Sequence, residues 1–142
     1  MKIAVMGAGA LGLYFGGRIA AAWQQSGAGE VAFVARGANL EALRRDGLRI
    51  RSPMGDLHLA PVTATGDPAE IGPVDLVLFL VKLYDTEAAA RAMAPLLGPD
   101  TAIVSFQNGV DGWERIGAIA GPGRVIGGIA RIPADLRAPG QR

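Results

Sequence analysis

The sequence has no cysteine and one histidine, His58, among its 142 residues. Disulfides, cysteine-ligated zinc, iron–sulfur clusters and thiol nucleophiles are therefore excluded, as is any multi-histidine metal centre. No Ser-His-Asp arrangement can credibly be built around the one imidazole. Net charge is also nearly absent. The chain's 14 Lys+Arg against 13 Asp+Glu give +1, which supplies no electrostatic reason to bind nucleic acid or an anionic membrane. No apolar run reaches the roughly 18 residues that argue for a membrane span. The run after Lys2 is broken by glycines too early for a secretory signal, so the expected compartment is the cytoplasm. Apolar residues, by contrast, make up 50% of the chain against 19% charged, which excludes a disordered polypeptide. A length near 150 residues argues for one domain with a real core.

Glycine is the other excess. The 21 glycines are about twice ordinary usage, and many fall where a strand would meet a helix. The apolar run Lys2–Met6 predicts a buried strand ended by Gly7, and an Ala- and Leu-rich helix follows from Ala10 to about Gln24. Gly12, Gly16 and Gly17 lie on or near one face of that helix, and because glycine weakens a helix, close packing is the expected reason. Further strands are expected at Glu30–Ala35, Val62–Thr65, Asp75–Val81, Thr101–Phe106 and Arg124–Gly128. Leu48–Arg51 and Leu57–Ala60 read as a hairpin around Ser-Pro-Met-Gly-Asp. Helices are expected at Asn39–Asp46, Thr86–Leu97 and about Val110–Ile119, with a short turn at Asp67-Pro68. Strands alternating with helices predict an α/β fold with a doubly wound, mostly parallel sheet and helices on both faces. Residues 1–130 would form this domain. Residues 131–142, without helical or alternating period, read as the start of a linker.

Gly7-Ala8-Gly9-Ala10-Leu11-Gly12 matches G-x-G-x-x-G between a predicted strand and a predicted helix, the context that gives the pattern meaning. Gly7 allows a tight turn, Gly9 lets backbone approach a pyrophosphate, and Gly12 lets helix and strand pack closely. The helix N-terminus would hold the phosphates. A dinucleotide-binding (Rossmann-type) domain follows. Where an NAD site usually carries an acidic residue after the second strand, this chain has Arg36, suited to a 2′-phosphate and hence to NADP(H). Glu30 is at the wrong end of that strand. Ligands bind beyond the carboxyl ends of strands in such sheets, which adds Lys82 after the strand ending at Val81, and Asn108 after the strand ending at Phe106. Lys82 could contact phosphate or ribose, or polarise a substrate carbonyl. Asn108 could cap the next helix, or hydrogen-bond a substrate hydroxyl or the ribose. His58 is expected to face solvent, Asp85, Glu87, Asp111 and Glu114 to serve helix starts, and Trp23 and Trp113 to pack.

The ordered set Met1–Gly12, Ala35-Arg36-Gly37, Asp75–Lys82, Gln107-Asn108-Gly109-Val110 and Arg124–Gly128 resembles ketopantoate reductases over essentially the whole chain. The resemblance implies NADPH-dependent reduction of a 2-keto acid, 2-dehydropantoate, to pantoate on the route to pantothenate. It implies Gly7–Gly12 at the pyrophosphate, Arg36 at the 2′-phosphate, Lys82 on the cofactor, and Asn108 between nicotinamide and substrate. It also implies a C-terminal helical domain after Pro139-Gly140 that supplies the general-acid lysine and much of the substrate site. Without it, cofactor binding with negligible turnover is expected. Another NADP-dependent 2-keto acid or hydroxyacid dehydrogenase, and a non-catalytic NADP-binding sensor, are the alternatives that the residues leave open.

Overall fold

The computed structural model describes residues 1–107 and 111–141. Six strands form one sheet: β1 (Lys2–Met6), β2 (Glu30–Val34), β5 (Thr63–Thr65), β6 (Val74–Phe79), β7 (Leu97–Ser105) and β8 (Val125–Gly127), in the order β5-β2-β1-β6-β7-β8. Every pairing in it is parallel. The short strands β3 (Leu48–Ile50) and β4 (Leu57–Leu59) pair antiparallel as the expected hairpin. The helices are α1 (Ala10–Ser26), α2 (Gly37–Asp46), α3 (Thr86–Ala92) and α4 (Gly112–Ala120).

Period-two alternation sorts each central strand between two cores. Ile3 and Val5 of β1, with Val31 and Phe33 of β2, join Leu13 of α1, Leu43 of α2 and the hairpin residues Leu48, Ile50 and Leu59. Ala4 and Met6, with Ala32, Val34, Val77 and Phe79, face Ala89, Ala90 and Met93 of the α3 region and Ile116 of α4. The sheet is thus covered on both faces, as near-continuous apolar parallel strands require. Glycines on α1 set the spacing to its side of the sheet. A Cβ on Gly16 would lie 2.6 Å from Phe33 Cε1 and 2.8 Å from Val5 Cγ2, and one on Gly17 would lie 2.5 Å from Leu48 Cδ2. The close-packing expectation for these glycines is met.

The boundaries differ from expectation in instructive places. The helix expected to reach Leu97 ends at Ala92 and gives way to a 3-10 turn over Ala94–Leu96. Pro95 has no N–H to continue the ladder and its ring clashes with the preceding turn. β7 consequently begins at Leu97, four residues earlier than predicted, with its register to β6 shifted between Val74 and Leu76. β6 stops at Phe79, so Leu80 and Val81 lead from the strand to Lys82. α4 starts at Gly112; the expected start at Val110 lies outside the described residues. Segment 131–141 contains no helix or named strand. It returns to the α2–β3 corner, where Gly140 is buried and Arg49 N–H donates to the Gly140 carbonyl at 3.1 Å.

Gly16→Val, which drives a branched side chain into Phe33 and Val5, is expected to lower unfolding free energy by about 2 kcal/mol. Ala22→Val, on the exposed face of α1, should cost less than about 1 kcal/mol. Urea denaturation compares the two, and equal losses would remove the close-packing account.

Candidate functional site

Sheet order locates the crevice. From β1 the chain moves outward to β2 and β5, then returns to the other side of β1 as β6. The carboxyl ends of β1 and β6 therefore flank the point where winding reverses, the usual ligand position in an open parallel sheet.

The glycine loop is built there by close contact. Gly7 has φ +102°, and a Cβ on it would lie 2.9 Å from the Leu80 carbonyl carbon and the Val81 nitrogen. A Cβ on Gly12 would lie 2.0 Å from the Gly7 oxygen. A Cβ on Gly9, by contrast, meets nothing within 4 Å, so the loop is packed on two sides and open at its tip. Gly9 caps α1 with extended backbone and without a side-chain bond, and the first turn carries no acidic residue. The earliest α1 bond from this cap is Leu13 N–H to the Gly9 carbonyl, 2.9 Å. The N–H groups of Ala10, Leu11 and Gly12 precede that bond, which leaves donors and the positive end of the helix dipole at an uncrowded rim.

Two hollows meet at this rim. The first, about 250 Å³, is lined by Gly7, Gly9, Arg36, Asn39, Lys82 and Tyr84, among others. The second, about 260 Å³, is bounded by Leu11, Lys82, Phe106 and Gln107. Lys82 borders both. A larger hollow of about 470 Å³ lies between the hairpin and segment 131–141, with Arg49, Arg51, His58 and Arg137 in its wall. It shares no lining residue with the glycine loop, so topology and loop geometry favour the smaller pair.

Of the residues selected from sequence, Gly7, Ala8, Gly9, Arg36 and Lys82 line the first hollow and Leu11 and Lys82 the second. Ala10 opens α1 and Gly12 is buried beneath the loop. Arg36 is exposed at the N-cap of α2, and Lys82 is exposed at the start of a 3-10 turn, Leu83–Asp85, that precedes α3. Asn108 lies outside the described residues. His58 is exposed on β4, its ring nitrogen 3.0 Å from the Asp46 carbonyl oxygen.

Two amides that the sequence reading gave no structural role hold this architecture. Asn39 Nδ2 donates to the Ala8 carbonyl at 3.1 Å, tying α2 to the glycine loop, and its Oδ1 accepts from Gly140 N–H at 3.1 Å. Gln107 Nε2 donates to the Val81 carbonyl at 3.0 Å and to Thr86 Oγ1 at 2.8 Å, joining the end of β7 to the Lys82 segment. Its Oε1 is buried with no hydrogen-bond partner among the described residues. A polar residue at a strand's carboxyl end was the available signal for Gln107; Asn39 follows Arg36-Gly37 but carried no motif.

Two expectations need correction. Asp85 and Asp111 stand at N-cap positions but make no side-chain cap bond, because both have ψ near 0° rather than the extended backbone a cap needs. Trp113 is 49% exposed on α4, whereas Trp23 packs beside its core. Glu87 lies in the first turn of α3, as expected, and also joins an interhelical pair: Arg115 Nε and Nη2 donate to its two oxygens at 2.7 and 2.8 Å.

The chain matches the family model described as Ketopantoate reductase PanE/ApbA over residues 3–142. The chain belongs to the ketopantoate reductase family. It is 36% identical to a 2-dehydropantoate 2-reductase of Mesorhizobium japonicum, covering 99% of this chain and 48% of that protein. The crystal structure of 2-dehydropantoate 2-reductase from Porphyromonas gingivalis W83 superposes with TM-score 0.92 at 39% identity, over 99% of this chain and 50% of that one. A PanE/ApbA family ketopantoate reductase from Ralstonia eutropha gives TM-score 0.88 at 35% identity, over 99% and 45%. The chain thus spans about half the length of these ketopantoate reductase relatives. Among the described residues no helix is long and apolar enough to cross a membrane, and no His/Asp/Glu cluster could hold a metal.

The Arg115–Glu87 pair stiffens the lip of this family member's cleft, since Arg115 Nη2 also reaches the Leu83 carbonyl at 3.5 Å. The Arg115 hydrogen bond, followed by a backbone one, holds the Glu87 carboxyl below its ordinary range. A depressed folded-state value means stabilisation above the unfolded pKa that is lost as pH falls through the folded value. Arg115→Gln is therefore expected to melt earlier than the parent at pH 7, with the gap narrowing as pH drops below the ordinary glutamate value. A Tm difference constant from pH 7 to pH 2 would show that the ion pair is not the link.

Proposed function

We propose that this chain is the NADPH-holding part of a 2-dehydropantoate 2-reductase. The observation that carries the reading is the loop tip at Gly9, open to the outside with helix-start donors around it and cations on both flanks. A nucleotide fits these residues: the first hollow suits the adenosine half with Arg36 toward a 2′-phosphate, and the second suits the nicotinamide half. The pyrophosphate would cross Gly9 between them, accepting from N–H groups at the start of α1. Lys82, bordering both hollows, would reach phosphate or ribose. Asn108 would lie between nicotinamide and substrate, a role that rests on the family resemblance.

When bound, the reduced nicotinamide supplies the electrons and hydrogen that turn a 2-keto group into a hydroxyl. This chain's own contribution is binding and orientation. Gln107 and Asn39 fix the loops on which Lys82 and the glycines stand, so little reorganisation accompanies binding. The alkoxide that forms needs an acid, which a C-terminal helical domain of the same protein would provide together with most contacts to the keto acid. Pantothenate synthesis is the corresponding role and the cytoplasm the corresponding compartment.

Titration of the chain with NADPH and NADH by calorimetry tests the reading. NADPH should bind more tightly, and Arg36→Ala should weaken NADPH about tenfold while hardly changing NADH. Equal affinity for the two nucleotides in the parent would remove the role of Arg36. Gly9→Val, whose side chain enters open space, should keep the parent Tm and lose NADPH binding. Retained binding there would move the nucleotide away from the loop.

A further inference from the structure

The first hollow has an aromatic wall that none of the motifs uses. Tyr84 is 76% exposed and belongs to neither core. It lines the same hollow as Gly9 and Arg36. An exposed aromatic ring leaves a large apolar face in water, which folding alone does not reward.

Hydrogen bonds tie the backbone that carries the ring. Asp85 N–H donates to the Lys82 carbonyl at 2.9 Å, and Thr86 Oγ1 donates to the Leu83 carbonyl at 2.8 Å. Gln107 holds the Val81 carbonyl from below. The turn thus presents an aromatic face on a fixed support at the edge of a ligand-sized hollow. The Lys82 ammonium lies 5.9 Å from the ring centroid, a cation–π approach that draws the cation and the ring to the same side of the cleft.

We propose that Tyr84 is the stacking platform for the adenine base of the bound nucleotide, with Arg36 engaging the 2′-phosphate from the β2 side of the same hollow. The inference rests on the proposed NADP(H) reading. The chemistry is general: a purine has a π face, and stacking on an aromatic side chain is worth enough per base to dominate a small subsite. The platform would fix the adenosine half independently of the nicotinamide end.

Adenosine 2′,5′-bisphosphate, which has the base and the 2′-phosphate but no nicotinamide, separates the two halves. By calorimetry, Tyr84→Ala should weaken this compound and NADPH by the same factor, about tenfold, and Tyr84→Trp should restore both. The melting temperature should stay at the parent value. The same tenfold loss is expected when Tyr84→Ala is made in a Lys82→Ala chain. A loss that disappears in that background would mean that Tyr84 acts only by orienting Lys82, and would overturn the proposal. Unchanged affinity of Tyr84→Ala for adenosine 2′,5′-bisphosphate would overturn it too while leaving the NADP(H) reading in place. A parent chain that binds neither compound would remove both.

Discussion

The carbonyl oxygen of Gly7 lies 2.0 Å from where a Cβ at position 12 would stand. That single approach sets how α1 meets β1, and the rest of the site follows from it. With the helix seated this close, its N-terminus opens directly over the strand end, and its first N–H groups point to the rim rather than into protein. The turn that makes this possible needs the left-handed backbone at Gly7, whose own missing Cβ admits the Leu80–Val81 segment that follows the neighbouring strand. One contact therefore positions the helix dipole, the glycine tip and the Lys82 segment together. The same economy of side chains continues along α1, where Gly16 and Gly17 bring Phe33 of β2 and the hairpin against the helix.

Much of this could be read from residue order. The apolar runs at Lys2–Met6 and Asp75–Val81 gave central strands because both of their faces had to be covered, and the glycine spacing on the first helix foretold its packing. The rim residues Gly7, Gly9, Arg36 and Lys82 emerged together since every one of them follows a strand, and parallel strands end on one edge. What could not be read was held by contacts distant in sequence. Asn39 reaches back 31 residues to Ala8, and Gln107 reaches back 26 to Val81. Neither partner is a side chain with its own pattern; both are backbone carbonyls, which leave no trace in residue identity.

Boundary errors had a local cause of another kind. Helical composition continues through Met93 and Leu96, both buried, so the apolar pattern alone extends the helix to Leu97. Pro95 converts those same residues into a 3-10 turn that still buries them. Burial and helical hydrogen bonding part company at that point, and a reading based on apolar periodicity follows the first rather than the second. Likewise Asp85 has the side chain of a cap without the backbone of a cap, because a 3-10 turn rather than an extended residue leads into α3.

Charge is distributed along the strands in a way that bears on nucleotide choice. At the amino ends of the sheet, Glu30 of β2 pairs with Lys2 Nζ at 3.5 Å, and Asp75 of β6 accepts from Lys2 N–H at 2.6 Å. At the carboxyl ends stand Arg36 and Lys82, with Asp85 as the acidic group among the residues lining the first hollow. The acid that β2 carries is thus satisfied a full strand length from the rim. A 2′-hydroxyl at the end of β2 would face no strand-end carboxylate, whereas a 2′-phosphate would face a guanidinium suited to bidentate bonding. Because parallel strands share one polarity, a carboxylate at the end of β2 instead of its start would suit a 2′-hydroxyl without altering the core. On the proposed reading the fold would fix where the nucleotide lies, and the choice between nucleotides would rest on one exposed side chain, Arg36, at one strand end.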